Sequence, residues 1–283
     1  MKRCSVPVLD FVFIGPGRSG TTYMHSVIRQ DARIALPQGI KETNHFLTGG
    51  KESEDRFWHY FPADCATRAR RGEVANMYVY DPGAIPNLAS MGAQLTLHTI
   101  LRNPFDRLVS SLRFRLAAGE ITHFAGFEDA LNRYPDLVEQ SAYATLLGPY
   151  MAQFGERLKV YAFDDLMSSP DSVVRQFYAN IGLDAPHPIP LERVDRNIAR
   201  TPRSRLLVRL GRLVSDSLRA VGMLRLLGRI KDSRLVSRLV YCEDPLRVEV
   251  SDWPAGVVAR LNDEIDQLSR LLGRDFSHWK RPG

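Results

Sequence analysis

Cysteine is scarce: Cys4, Cys65 and Cys242 are odd in number and far apart, and no CxxC pair stands among them. That excludes a disulfide framework or a cysteine-built zinc site and fits a reducing compartment. Long apolar runs are missing too, so no segment is read as a membrane span. The N-terminal apolar stretch is short, contains Asp10 and runs straight into a glycine-rich segment. It reads as a first strand and not a signal peptide, and the expectation is a cytoplasmic protein. Neither an internal repeat, a low-complexity tract nor a linker is present, so the 283 residues are expected to form a single domain. No sign of charge dominates. With 38 Lys+Arg against 32 Asp+Glu, the net charge of +6 suits an anionic ligand, an anionic membrane face or nucleic acid, and chooses among none of them.

What is present is an alternation. VLDFVFIG (Val8 to Gly15) is continuously apolar and rich in β-branched and aromatic residues, as in a strand buried on both faces. Further short apolar runs lie at Ile34 to Leu36, Val74 to Tyr78, Gln94 to Leu101 and Leu158 to Phe163. Helical patterns fall after the first strand and around Asp55 to Tyr60, Phe105 to Ala118, Ala142 to Phe154, Ser172 to Ile181 and Ala255 to Leu272, with Gly273 as the last helix's C-cap. Such a chain is α/β, with a central, mainly parallel sheet and helices on both faces; the loop described next makes it a P-loop-containing nucleotide-binding fold.

The chemistry begins at GPGRSGTT (Gly15 to Thr22). Gly15, four residues, Gly20 and then Thr21 and Thr22 have the spacing of a phosphate-binding P-loop between strand and helix. Glycines let the backbone wrap closely and aim N–H groups at an anion on the helix N-terminus. A triphosphate loop needs Lys after the second Gly; here that residue is Thr21, and the cation has moved to Arg18. The relocation favours a diphosphate-like group over a triphosphate. A second anion site follows in QLTLHTILRNPFDRLVSSLRFRL (Gln94 to Leu116). Arg102 ends a strand, Asn103 is an N-cap, Pro104 suits the first helical turn, and Ser110 adds a hydroxyl two turns on. Ligands of open α/β sheets bind at this carboxyl edge, and the Arg fork matches a phosphate.

GPGRSGTT followed by LRNPFDRLVSS resembles the paired cofactor motifs of sulfotransferases that use 3′-phosphoadenosine 5′-phosphosulfate (PAPS). The resemblance implies that Arg18, Ser19, Gly20, Thr21 and Thr22 hold the 5′-phosphosulfate and that Arg102 and Ser110 hold the 3′-phosphate. KETNHF (Lys41 to Phe46), GEVANMY (Gly72 to Tyr78), VYAFDDLMSSP and LLGRDFSHW are similar to stretches of the Golgi carbohydrate sulfotransferases and their bacterial relatives. The likeness is faint from Pro202 to Asp252. Two positions depart: Arg18 stands where many members carry Lys, as in a tyrosylprotein-type PRSGTT loop, and His45 replaces the first Phe of an FF pair.

What the resemblance implies is an in-line transfer of a sulfuryl group to a hydroxyl of a carbohydrate, lipid or secondary metabolite. Glu42 is the general base, with His45 as the rival, and Arg18 and Lys41 stabilise developing charge. The leaving group is a phosphate, so no metal is obligatory. Glu73 and Tyr78 are candidates to touch the acceptor, with strand core the plainer reading of Tyr78. Trp58, Tyr60 and Phe61 read as core before they read as a sugar platform, and Arg113 and Arg115 as a solvated helix face.

From 193 to 252 the chain is dense in Arg and Leu and poor in acids. Several readings stand open: a solvated helical insertion, a lid with Arg200 and Arg203 closing over the nucleotide, a site for an anionic acceptor, or an amphipathic contact with the inner membrane face through 203–240. No nucleic-acid-binding module is recognisable, and nucleic acid is not an expected partner. Two other functions remain as alternatives: a P-loop kinase using ATP, and a non-catalytic membrane- or nucleic-acid-binding protein on a degenerate nucleotide fold.

Overall fold

Phe11, Val12 and Phe13 make the central strand, β1 (Phe11–Phe13), because a segment apolar at every position can be buried on both faces. The structure, a computed structural model, describes residues 8–50, 54–121, 124–189, 200–202, 241–245, 250 and 252–282. Along the chain follow α1 (Thr21–Ile28), β2 (Ile34–Ala35), α2 (Glu54–His59), β3 (Arg70–Val74), α3 (Ala84–Ala89), β4 (Thr96–Leu101) and α4 (Pro104–Ala117). After these come α5 (Phe127–Arg133), α6 (Asp136–Glu139), α7 (Tyr143–Phe154), β5 (Leu158–Ala162), α8 (Phe163–Ser168) and α9 (Pro170–Asn180). The last are β6 (Arg200–Pro202), β7 (Tyr241–Pro245) and α10 (Ala255–Leu272). Contacts divide the chain into two compact units, Met1–Arg102 with Leu146–Val194, and Asn103–Thr145 with Asp195–Gly283.

The first unit carries a parallel sheet in the order β2-β3-β1-β4-β5. Phe11 and Phe13 point to one face and meet Phe177 of α9 at ring distances of 5.2 and 5.3 Å, beside Met24 and Val27 of α1. Val12 alternates to the other face and is equally buried, so both faces are covered and the expected α/β layering is observed. The strand expected over Val74 to Tyr78 is displaced: β3 is Arg70–Val74, and Tyr78 lies in a single 3-10 turn. Ala75 N–H still bonds Phe13 O at 3.0 Å, but the chain then turns, and Val79 N–H reaches back to Ile14 O at 2.9 Å. The buried Ala75, Tyr78 and Val79 extend the apolar pattern past the strand's end. Two arginines begin the strand instead, with Arg71 paired to Asp10 at 2.9 Å.

In the second unit Asn103 Oδ1 accepts from Phe105 N–H at 3.0 Å and Pro104 opens α4, as the capping pattern requires. Gly273, at φ 61°, closes α10, whose Val258, Leu261, Ile265 and Leu268 are buried. Arg115 bonds Asp136 and lies over Tyr134, which fits a structural part. Most of the basic Leu/Arg segment, including Arg203, lies outside the described residues; within it β6 and β7 pair antiparallel. Among the described residues no helix is long and apolar enough to cross a membrane.

Candidate active site

The chain leaves β1 at Phe13 and enters α1 at Thr21, and the loop between is held from behind. Ile14 N–H bonds His98 O at 2.9 Å, and the buried Thr99 hydroxyl caps Gly15 O at 2.6 Å. Gly15 has φ 107° and sits so close to the Asn76 carbonyl that a Cβ would overlap it; at Gly20, φ 99°, a Cβ would fall 2.6 Å from Leu166. Neither position admits a side chain. Arg18, at φ 71°, is left-handed without being glycine, a conformation that stores on the order of 1–3 kcal/mol. These three left-handed residues turn the backbone sharply directly before the N-terminus of α1, as loops that bind anions through N–H groups do. Ser19 is fully buried and its hydroxyl has no hydrogen-bond partner among the described residues, an unmet polar group inside an anion-shaped loop. The loop therefore fits a phosphate-bearing donor. Thr21 is 2% exposed and its single hydroxyl proton goes to Asn76 Oδ1 at 2.6 Å, so its backbone N–H is what it offers; Thr22 presents an exposed hydroxyl.

Lys41 and Glu42 meet this loop from the segment after β2. Lys41 Nζ lies 3.4 Å from Thr21 Oγ1 and 3.3 Å from Glu42 Oε1, and Asn76 Nδ2 donates to the same carboxylate oxygen. Burial lowers the Lys41 pKa, Glu42 opposes the shift, and the nearby Arg18 charge adds to it. His25 of α1 is held down to about 4 by burial first and by Lys41 and Arg29 next, so it is neutral at pH 7. Arg102, the residue after β4, reaches Arg18 O at 3.5 Å and stacks over the Phe163 ring at 4.8 Å. Arg18, Lys41 and Arg102 thus supply three cations around one loop.

No protein-family model and no curated protein matches the chain. Solved structures do. The sulfotransferase of Alicyclobacillus acidocaldarius superposes with a TM-score of 0.64 at 18% identity, over 98% of this chain and 100% of that one. This chain has a sulfotransferase fold. The sulfotransferase domain of the curacin biosynthetic pathway matches with a TM-score of 0.48 at 12% identity, covering 65% of this chain and 77% of its own. The corresponding domain of the Synechococcus PCC 7002 olefin synthase gives 0.45 at 13%, covering 63% and 74%.

On this sulfotransferase fold the remaining candidates separate. His45 stacks on Phe57 at 4.5 Å and meets Phe46 edge-on at 5.0 Å, within an aromatic cluster that also takes in Trp58 and Phe61. Phe57 and Phe61 are buried, so this group packs as core. Glu73, at the end of β3, is completely buried; it accepts from Thr43 N–H at 2.5 Å and from Tyr78 O–H at 2.9 Å. Burial pushes its pKa up to about 7, against the pull of those hydrogen bonds. Glu73 thus clamps the segment carrying Lys41 and Glu42. Ser110 stands half-buried on α4 in the second unit. Arg200 lies on β6, and Arg203 outside the described residues.

Asn76, Thr99 and His25 escaped the sequence reading. Asn76 lies just past the carboxyl end of β3, where ligand-facing polar residues gather, but the expected strand over Val74 to Tyr78 put it mid-strand and hid that place. His25 and Thr99 look like ordinary helix and strand residues in sequence.

Proposed function

We propose that the protein is a sulfotransferase that takes PAPS as donor and a hydroxyl of a carbohydrate, lipid or secondary metabolite as acceptor. The observation that carries this reading is the junction of a phosphate-shaped loop with a carboxylate: Thr21, Lys41, Asn76 and Glu42 form one hydrogen-bonded group. A kinase reading has no comparable support, because Thr21 occupies the position of the triphosphate-binding lysine.

The loop N–H groups from Arg18 to Thr22, with the Thr22 hydroxyl, are assigned to the 5′-phosphosulfate end. Arg102 and Ser110 are assigned to the 3′-phosphate, as the resemblance implies, and Arg200 and Arg203 to closing over the nucleotide. Bound there, the donor supplies a sulfuryl group on a phosphate leaving group. Arg18 and Lys41 are assigned to neutralise charge growing on that phosphate, an electrostatic effect worth about 10²–10³-fold per donor group. Glu42 takes the proton of the acceptor hydroxyl, and Lys41 Nζ stands 3.3 Å from its carboxylate. His45, engaged in ring stacking, orients the segment by packing. The Golgi-type relationship and a cytoplasmic setting, with or without peripheral membrane contact through 203–240, belong to the same proposal.

The test is transfer of labelled sulfate from PAPS to a panel of alcohols in the presence of EDTA, together with calorimetry of 3′-phosphoadenosine 5′-phosphate. Saturable nucleotide binding that weakens in an Arg18→Ala, Arg102→Ala variant is the expected result. No binding to the wild-type protein overturns the reading.

A further inference from the structure

The Glu42 carboxylate has two neighbours on one oxygen, a cation and an amide. Lys41 Nζ is 3.3 Å from Oε1, and Asn76 Nδ2 donates to that same atom. At its other end the Asn76 carboxamide accepts from Thr21 Oγ1 at 2.6 Å. The orientation of the amide follows from its partners: turned over, it would set Oδ1 against a carboxylate oxygen and the Thr21 hydroxyl proton against an NH₂. A planar, rigid group therefore spans from the first residue of α1 to the proposed base.

Asn76 is also rigidly placed. Its backbone carbonyl packs on the Cα of Gly15 so closely that no Cβ fits between them. On either side of it, Ala75 N–H bonds Phe13 O at 3.0 Å and Val79 N–H bonds Ile14 O at 2.9 Å. Residue 76 is thus registered against the beginning of the loop through its backbone and against the end of the loop through its side chain. A carboxylate held by such a group inherits the loop's position, whereas one held by a flexible lysine alone does not.

We propose that Asn76 is a positioning residue: its carboxamide ties Glu42 to Thr21, so the base is aimed by the same loop that receives the donor. This rests on the sulfotransferase reading with Glu42 as base. It separates two duties that the cluster otherwise blurs. Lys41 supplies charge to the carboxylate, and Asn76 supplies direction.

Asn76→Ala is expected to lower kcat by about 10–100-fold while the calorimetric affinity for 3′-phosphoadenosine 5′-phosphate changes less than about threefold. Asn76→Asp keeps the acceptor for Thr21 and sets a second carboxylate on Glu42, so the two share a proton. The acid limb of kcat/KM then moves up by at least about one pH unit, and infrared titration of the free protein shows a carboxyl band protonated above the ordinary range, additional to the Glu73 band of the wild type, that vanishes in Asn76→Asp, Glu42→Gln. Should Asn76→Ala fail to fold, the Asp variant and its infrared titration carry the test. Wild-type turnover in Asn76→Ala, or an unshifted profile and no shared proton in a folded Asn76→Asp, overturns the proposal. Failure of the parent reading looks different: the wild type then binds no nucleotide or Glu42→Gln turns over normally, while the infrared result still reports whether residues 76 and 42 interact.

Discussion

Two polar clusters sit in the same sheet unit and are built on opposite lines. At the carboxyl edge, Thr21, Lys41, Glu42 and Asn76 join a cation, an anion and two neutral groups, with only Thr21 fully buried, next to a left-handed arginine. Inside the sheet, His98 is fully buried between Thr96 Oγ1 and Tyr161 OH, each at 3.0 Å, and Asn180 donates to that tyrosine at 2.8 Å. The inner chain holds no charge, and burial keeps His98 down at about 3. A closed neutral network stabilises because every member is satisfied. The open one keeps charge and strain at a surface where a ligand can use them. The contrast fits a stabilising part for one cluster and the proposed chemistry for the other.

The sharpest break in that contrast is Glu42→Gln. Sulfate transfer is expected to fall by about 10²–10⁴-fold with the thermal midpoint nearly unchanged; a fully active Gln variant would remove Glu42 from the chemistry. Next comes Arg18→Gly, which deletes a cation but releases a left-handed side chain. A drop of about 10²–10³-fold in kcat should accompany a gain of about 1 kcal/mol in denaturant stability, so activity and stability move apart. His98→Ala should do the reverse: about 3 kcal/mol lost from unfolding free energy, with kcat per folded molecule preserved. Loss of catalysis in that folded fraction would erase the distinction between the clusters.

The smallest effect concerns pH. Glu73 has a folded pKa of about 7, above its unfolded value of 4.5, so its contribution is full below about 4.5 and is lost as pH rises through 7. His98, about 3 when folded against 6.5 unfolded, contributes fully above 6.5 and loses it as pH falls toward 3; His25, at about 4, has the same sign. Between about 4.5 and 6.5 these slopes oppose one another. Glu73→Gln removes one side, so stability from guanidinium melts at pH 5 and 6.5 should then climb more steeply with pH, by up to about 1.4 kcal/mol per unit for the added slope. An unchanged slope would mean that Glu73 is ionised in the fold.

Much of the fold was legible because its signals are local. The apolar run at 11–13, the Asn-Pro cap of α4 and the terminal glycine of α10 act within a few residues of themselves. Short α3 and α5 were not foreseen, since six or seven residues show less than two turns of periodicity. The end of β3 misled for a related reason: Ala75, Tyr78 and Val79 are buried by neighbours in space after the strand has stopped.

The amino-acid sequence by itself determined the loop. Glycines at 15 and 20, a cation at 18 and a threonine where a triphosphate site needs lysine are covalent facts, and they restrict the anion before any folding is considered. Only the tertiary structure decided what the loop touches. Residues 21, 42 and 76 are brought together by the carboxyl ends of parallel strands, so the partner of Thr21 and Glu42 was invisible as a pattern. Burial did the rest: it kept His98 and His25 neutral, raised Glu73 toward 7 and turned His45 into a stacked ring, because the loss of water, and not residue type, sets the balance between charge and packing.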